Sequence, residues 1–219
     1  MRDAPKPDLQ ERLLDGLERL ASVLRADMRK SSGPYALNPT QDALLRLLLS
    51  RPTGLRVRSL AEHLGVRAPT VTDSAIALER KGLVSRLVDP ADARATLVRA
   101  TPRASLQGRR EVRTQAAAAL ADLSEADQIR LLNILIKVIR SLQLRGAIPP
   151  QRLCVTCKYF RPNVHPDEDT PHHCAFVDAP FGDRALRLDC AEHEQAGLIE
   201  MAQNWDIFLN SPSHDEAQA

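Results

Sequence analysis

Cys154, Cys157, Cys174 and Cys190 are the only cysteines in a chain of 219 residues, and all four fall in its last third. They are spaced Cys-x2-Cys, then sixteen residues, Cys, then fifteen residues, Cys. Soft thiolates grouped in this way can hold zinc or iron. In the zinc reading, Cys154 and Cys157 form a knuckle, and two of Cys174, Cys190 and His193 close a tetrahedron. Structural zinc can fold a segment too poor in apolar residues to fold alone, which suits this one. The alternative is an iron–sulfur cluster held by the four cysteines. Four of the chain's seven aromatic residues, Tyr159, Phe160, Phe176 and Phe181, lie between Cys157 and Cys190. There they would exclude water from a cluster and help set its potential. Free thiols in a disordered tail are the third possibility, and the clustering argues against it. His165, His172 and His173 sit in Pro-rich, acidic surroundings and read as surface residues rather than ligands.

The runs Cys154-Val-Thr-Cys-Lys-Tyr-Phe160 and His173-Cys-Ala-Phe176, with Cys190 closing the set, resemble the cluster-binding segment of high-potential iron–sulfur proteins. That resemblance covers about forty residues and implies a four-iron cluster. The sequence departs from it at Gly182 to Cys190, which is charged here and more apolar in that family.

The formal net charge of +2 conceals an asymmetry. Residues 51–114 carry 13 Lys/Arg against 6 Asp/Glu, a balance of +7, whereas residues 151–219 carry 5 against 12, a balance of −7. The middle of the chain is suited to phosphates and the end is not. The acidic end could instead dock on the basic segment as an autoinhibitor. No apolar run approaches the roughly 20 residues of a membrane helix. Met1–Pro7 is charged rather than signal-like, so a cytoplasmic protein is expected, where grouped cysteines favour metal or redox chemistry over disulfides.

Helices must position these groups. Leu9, Leu13, Leu17, Leu20 and Leu24 recur at helical spacing over about 7–30, stopped by Ser31-Ser32-Gly33-Pro34. A second helix is expected over 40–50 with Thr40 as its cap. Shorter helices follow over 57–64 and from 68 to 81, the latter ended by Gly82. Residues 83–88 and 95–101 alternate as strands around a tip at Asp89–Arg94. A long helix is expected over 102–120. Another opens at Ser124 and carries Ile129, Leu132, Leu135, Ile136, Ile139 and Leu142. Gly146 and Pro149-Pro150 then mark a boundary. A last helix is expected over 192–209, with Leu198, Ile199, Ala202 and Trp205 on one face and Trp205 packing on the cysteine module or the dimer. Asn210–Ala219 reads as disordered.

Residues 59–72 follow the logic of a helix-turn-helix. Ala61 is small where helices approach, and Gly65 turns the chain. Leu60, Leu64, Val71, Ala75 and Leu78 face one core. Arg67, Thr70, Thr72 and Asp73 are left outward near the start of the second helix, where side chains can reach base edges in a major groove. The following hairpin reads as a wing, with Arg86 on its first strand and Arg94 at its tip, suited to a minor groove or phosphate.

The residues Leu60-Ala-Glu-His-Leu-Gly65, Pro69-Thr-Val-Thr72, Leu78-Glu-Arg-Lys-Gly-Leu-Val84 and Asp89-Pro-Ala-Asp-Ala-Arg94 resemble the MarR family of winged-helix regulators, and the likeness spans about 7–144. It implies a homodimer joined through helices from both ends of that span, binding a palindromic double-stranded DNA site, usually as a repressor. It also implies a small-molecule effector in many members. The sequence departs from the family pattern at Asp73 and Ala91, where Arg is common. The leucine stripe near the N-terminus and the Ile/Leu stripe of 129–142 exceed what one wing domain can cover, which supports the dimer physically.

No P-loop, dinucleotide turn or nucleophile elbow is present. A catalytic zinc with Glu192 or Glu194 as base would be the enzymatic alternative, but the deaminase order of His-x-Glu and Pro-Cys-x-x-Cys is missing, so the chain is not expected to be an enzyme. The expected architecture is mainly α with a small β-wing: a winged helix-turn-helix domain with dimerisation helices over 1–148, a metal-stabilised module over 149–209, and a tail over 210–219.

Overall fold

The computed structural model describes residues 8–31, 35, 37–104, 115–167 and 169–210. The chain divides into two compact units, Met1–Ser124 and Glu125–Ala219.

The first unit begins with α1 (Leu9–Ser31) and α2 (Pro39–Leu49). The cap of α2 is Asn38 rather than Thr40: its Oδ1 accepts the Gln41 N–H at 2.9 Å, and Pro39 occupies the first turn, where no N–H is needed. The expected stop at Ser32–Pro34 lies outside the described residues. β1 (Leu55–Arg56), which sequence patterning does not reveal, leads into α3 (Val57–Leu64). α4 (Ala68–Arg80) follows, then the hairpin of β2 (Val84–Asp89) and β3 (Asp92–Ala100). All three strands pair antiparallel in the order β1-β3-β2, with Leu55 opposite Val98 and Arg86 opposite Val98 on the other side. A two-residue β1 has no alternation to read, because it forms by pairing with β3 rather than by its own propensity.

Leu44, Leu48, Leu60, Val71, Ala75, Leu78, Leu83 and Val98 are fully buried in one core, and Leu64 packs at its edge. Gly65 takes φ 64°, the left-handed conformation that ends α3 and lets the chain turn into α4. Of the helix expected over 102–120, residues 102–104 and α5 (Gln115–Ala121) are helical, and 105–114 lie outside the described residues. Asp27, buried on α1, accepts the Ala116 N–H at 3.0 Å and so satisfies an orphan donor in the first turn of α5.

The second unit opens with α6 (Glu125–Leu144), directly after Ser124. Its Ile136 is buried, and Leu132 and Ile139 pack against the same core as Leu153, Val155, Phe160, Leu186 and Phe208. α6 therefore shares a hydrophobic core with the cysteine segment, whereas sequence patterning grouped it with the wing domain and placed a boundary at 148/149. A three-stranded antiparallel sheet follows, in the order β4 (Phe160–Arg161), β5 (His172–Cys174) and β6 (Ala179–Phe181). The last helix is α7 (Leu198–Leu209). It is shorter than expected because Gln195 bridges to Cys157 and the Ala196 N–H bonds the Thr156 carbonyl, holding that stretch extended. Its inward face is Met201, Trp205 and Phe208, while Leu198 and Ile199 are exposed, so the apolar face drawn through Leu198 and Ile199 is corrected. Residues 211–219 lie outside the described residues.

Leu78 on α4 has no exposed surface and sits at the centre of the first core. Leu78→Ala should lower unfolding free energy by about 2–5 kcal/mol, read from urea denaturation, because the site cannot collapse around the missing methyls. A cost below about 1 kcal/mol would show that the core is not packed as described.

Candidate nucleic-acid interface and cysteine cavity

Arg67 is the N-cap of α4 and is exposed, followed by Ala68, Pro69 and the exposed Thr70. Asp73 is also exposed, one turn further on. Thr72 donates its hydroxyl to the Ala68 carbonyl at 3.1 Å, so its oxygen is engaged with its own helix. The start of α4 thus presents one cation, one hydroxyl and one carboxylate to solvent, the groups that read base edges and phosphates.

The wing is held at both ends. At the tip, Asp89 pairs with Asp92, leaving Pro90 and Ala91 as the turn, tighter than the six-residue tip expected. The Asp89 carboxylate accepts the Ala91 N–H at 2.7 Å and the Arg56 guanidinium of β1 at 2.5 Å, and these two contacts hold it below the usual carboxylate range. Arg94 is exposed beyond this turn, with its N–H donated to Asp92. At the base, Arg86 donates to Glu79 of α4 at 2.8 Å, and Glu79 also accepts the Arg86 N–H at 3.2 Å. The Arg86 side chain keeps the Glu79 carboxyl below its ordinary range. Of the six candidate contacts, Arg67, Thr70, Asp73 and Arg94 make no side-chain ion pair among the described residues, whereas Arg86 is tied to α4 through Glu79. Arg56, which sequence patterning did not single out, serves the wing as its anchor.

In the second unit, Cys154, Cys157, Cys174 and Cys190 all line one cavity of about 140 Å³. The short turn Cys154–Thr156 and the Cys157 that caps it present the first two, β5 the third, and the loop before α7 the fourth. None is in a disulfide. Tyr159, Phe160, Phe176 and Phe181 line the same cavity, along with Arg187 and Glu192. Burial pushes the Cys154 thiol up to about 11, against the pull of the Arg187 N–H, which lies 3.2 Å from its sulfur. His193 does not line the cavity. Its Nε2 lies 3.0 Å from the Thr156 hydroxyl. Among the described residues, no three His, Cys, Asp or Glu side chains converge closely enough to hold a single metal ion.

The expectation that His172 is a surface residue is corrected: it has no exposed surface. Its Nδ1 accepts the Asn163 N–H at 3.2 Å, which leaves Nε2 to donate to Asp183 at 2.7 Å. The ring lies within 5.6 Å, centroid to centroid, of Phe160, Phe181 and Phe208. Asp183 also accepts from Asn133 of α6 at 2.9 Å. His165 and His173 are partly buried neighbours, 3.2 Å apart at Nε2 and Nδ1. Trp205 packs on the module as expected, and the Arg140 guanidinium lies over its ring at 4.2 Å.

The helix–turn–helix, the three-stranded sheet and the wing define a winged helix-turn-helix domain. Residues 37–96 match the model of the MarR family. Solved structures of similar fold include CouR from Rhodococcus jostii RHA1 bound to p-coumaroyl-CoA, at 23% identity and a TM-score of 0.51, covering 63% of this chain and 95% of that one. A MarR transcriptional regulator from Methanosarcina mazei Go1 aligns at 19% identity and a TM-score of 0.51, covering 61% of this chain and 99% of that one. At these identities the likeness establishes the fold alone. No curated protein matches the chain. No described helix is long and apolar enough to cross a membrane.

The buried His172–Asp183–Asn133 chain makes a direct test of this architecture. Asp183→Ala leaves two buried donors without their acceptor and should cost about 1–3 kcal/mol in chemical unfolding. A stability equal to the parent's would show that the contact is not formed.

Proposed function

We propose that this chain is a MarR-type transcriptional regulator that binds double-stranded DNA as a homodimer and carries a cysteine-ligated metal centre reporting redox state. The observation that supports DNA binding best is the start of α4, where Arg67, Thr70 and Asp73 are exposed, beside a wing whose Arg94 is exposed at the tip. In this reading α4 enters the major groove and Arg94 meets the minor groove or phosphate. Leu13, Leu14, Leu17, Leu20 and Leu24 of α1 remain exposed, as do Ile134, Val138 and Leu144 of α6. Apolar surface of this extent on two helices supports burial against a second copy. Two such domains related by a twofold axis read two half-sites, which is why a palindromic operator is proposed.

For the metal centre, the donor set bears on which occupant is proposed. A single zinc with bonds of about 2.3 Å needs sulfurs about 3.8 Å apart. Four thiols spread around a cavity, with aromatic walls, suit a four-iron cluster better, because each thiolate then binds a different iron. Bound there, such a cluster supplies one-electron chemistry. Tyr159, Phe160, Phe176 and Phe181 would keep water from it, and the Arg187 N–H would donate to the Cys154 sulfur. Structural zinc is the competing occupant. In that case regulation would fall to a small-molecule effector, as the bound p-coumaroyl-CoA of CouR suggests.

In mobility-shift titrations, Arg94→Ala should weaken operator binding about tenfold and reduce the salt slope by about one phosphate equivalent. Arg86→Ala should cost less, since that cation is already paired with Glu79. Equal losses for the two would place the wing contact elsewhere. Anaerobically purified protein should contain iron and sulfide and absorb broadly in the visible, and Cys154→Ser should lose both. A colourless parent protein with one zinc per chain would replace the cluster by a structural ion.

A further inference from the structure

The cavity that holds the four thiols has an asymmetric electrostatic wall. Among its described lining residues, Arg187 is the one cation and Glu192 the one carboxylate. Both converge on Cys190. An Arg187 Nη1 lies 3.7 Å from the Cys190 sulfur, and the Cys190 thiol donates to Glu192 Oε2 at 3.5 Å. The two side chains are themselves 3.9 Å apart. Arg187 also touches a second ligand candidate, through its N–H to Cys154.

Metal ligation changes this balance. Cys190 gives up its proton as a ligand, so Glu192 loses a donor and faces a negatively charged sulfur. Arg187 gains an anionic partner at the same moment. The Arg187 side chain is 62% exposed, so its charge acts through partial solvent and should be screened by salt.

We propose that Arg187 and Glu192 form an opposed pair that sets the reduction potential of the cysteine-ligated centre. Arg187 favours the state with one more electron, and Glu192 favours the state with one fewer. The proposal rests on the cluster reading given above. The couple concerned is the gain or loss of one electron, exchanged in the experiment with an electrode through small-molecule mediators. A tetrathiolate cluster becomes more anionic on reduction, so a cation within 4 Å of a ligand sulfur stabilises the reduced form, and a carboxylate there opposes it.

The test is potentiometry on the full-length protein loaded with iron and sulfide, with iron content and visible spectrum recorded for every variant. Arg187→Gln should weaken electron affinity about tenfold at low ionic strength, or ~59 mV for a one-electron couple, and the shift should shrink as salt is added. Glu192→Gln should shift the potential in the opposite direction, and Arg187→Lys should restore most of the parent value. An Arg187→Gln protein with full iron and an unchanged potential at low salt would overturn the pair, as would a shift insensitive to salt. Should Arg187→Gln fail to retain iron, the Glu192→Gln arm decides: a rise supports the pair and no rise overturns it. A parent protein that takes up no iron and sulfide overturns the cluster reading, and this inference with it.

Discussion

The second unit depends on one buried hydrogen bond, from His172 Nε2 to Asp183. It ties β5, which delivers Cys174, to the turn at Asp183–Ala185 that precedes Arg187 and Cys190. Asn133 of α6 meets the same carboxylate, so one acceptor fixes three separate stretches of chain. The surrounding rings of Phe160, Phe181 and Phe208 keep water away and make any missing partner costly. This polar anchor and its aromatic shell hold the strand that carries Cys174 against the segment that leads to Arg187 and Cys190.

The first unit positions its helices mainly by aliphatic packing and adds polar anchors at the wing. Its core is built from Leu, Val and Ala, since the chain's few aromatic residues are used mostly elsewhere. Close packing of α2, α3 and α4 leaves the start of α4 outward, and Gly65 sets the angle at which that happens. The outward side chains at this helix start do not carry the fold, so they are free to vary.

Much of this was legible in the sequence. The period of Leu60, Val71, Ala75 and Leu78 reads directly as a core face, and Gly65 and Gly82 read as helix ends, because local sterics determine those features. What escaped depends on partners far away in the chain. β1 exists only through β3. The buried state of His172 follows from Asp183 and three phenylalanines, none adjacent to it, while the surrounding sequence is rich in proline and acidic residues. α6 looked like a dimer helix because its stripe is apolar, but the pattern cannot say which partner covers which part, and Ile136 turns inward on the cysteine module. The convergence of the four cysteines on one cavity could be suspected from their clustering, but not that Arg187 and Glu192 line it with them.

The anchoring of the wing has a consequence for kinetics. Arg56 and the Ala91 N–H fix Asp89, and Glu79 fixes Arg86, so the hairpin is braced at tip and base before any partner arrives. A braced arm loses little freedom on docking, and the ordering cost that a floppy loop would meet at encounter has already been met during folding. In the proposed DNA complex, discrimination between sites should then appear mainly in how long the complex lasts rather than in how quickly it forms.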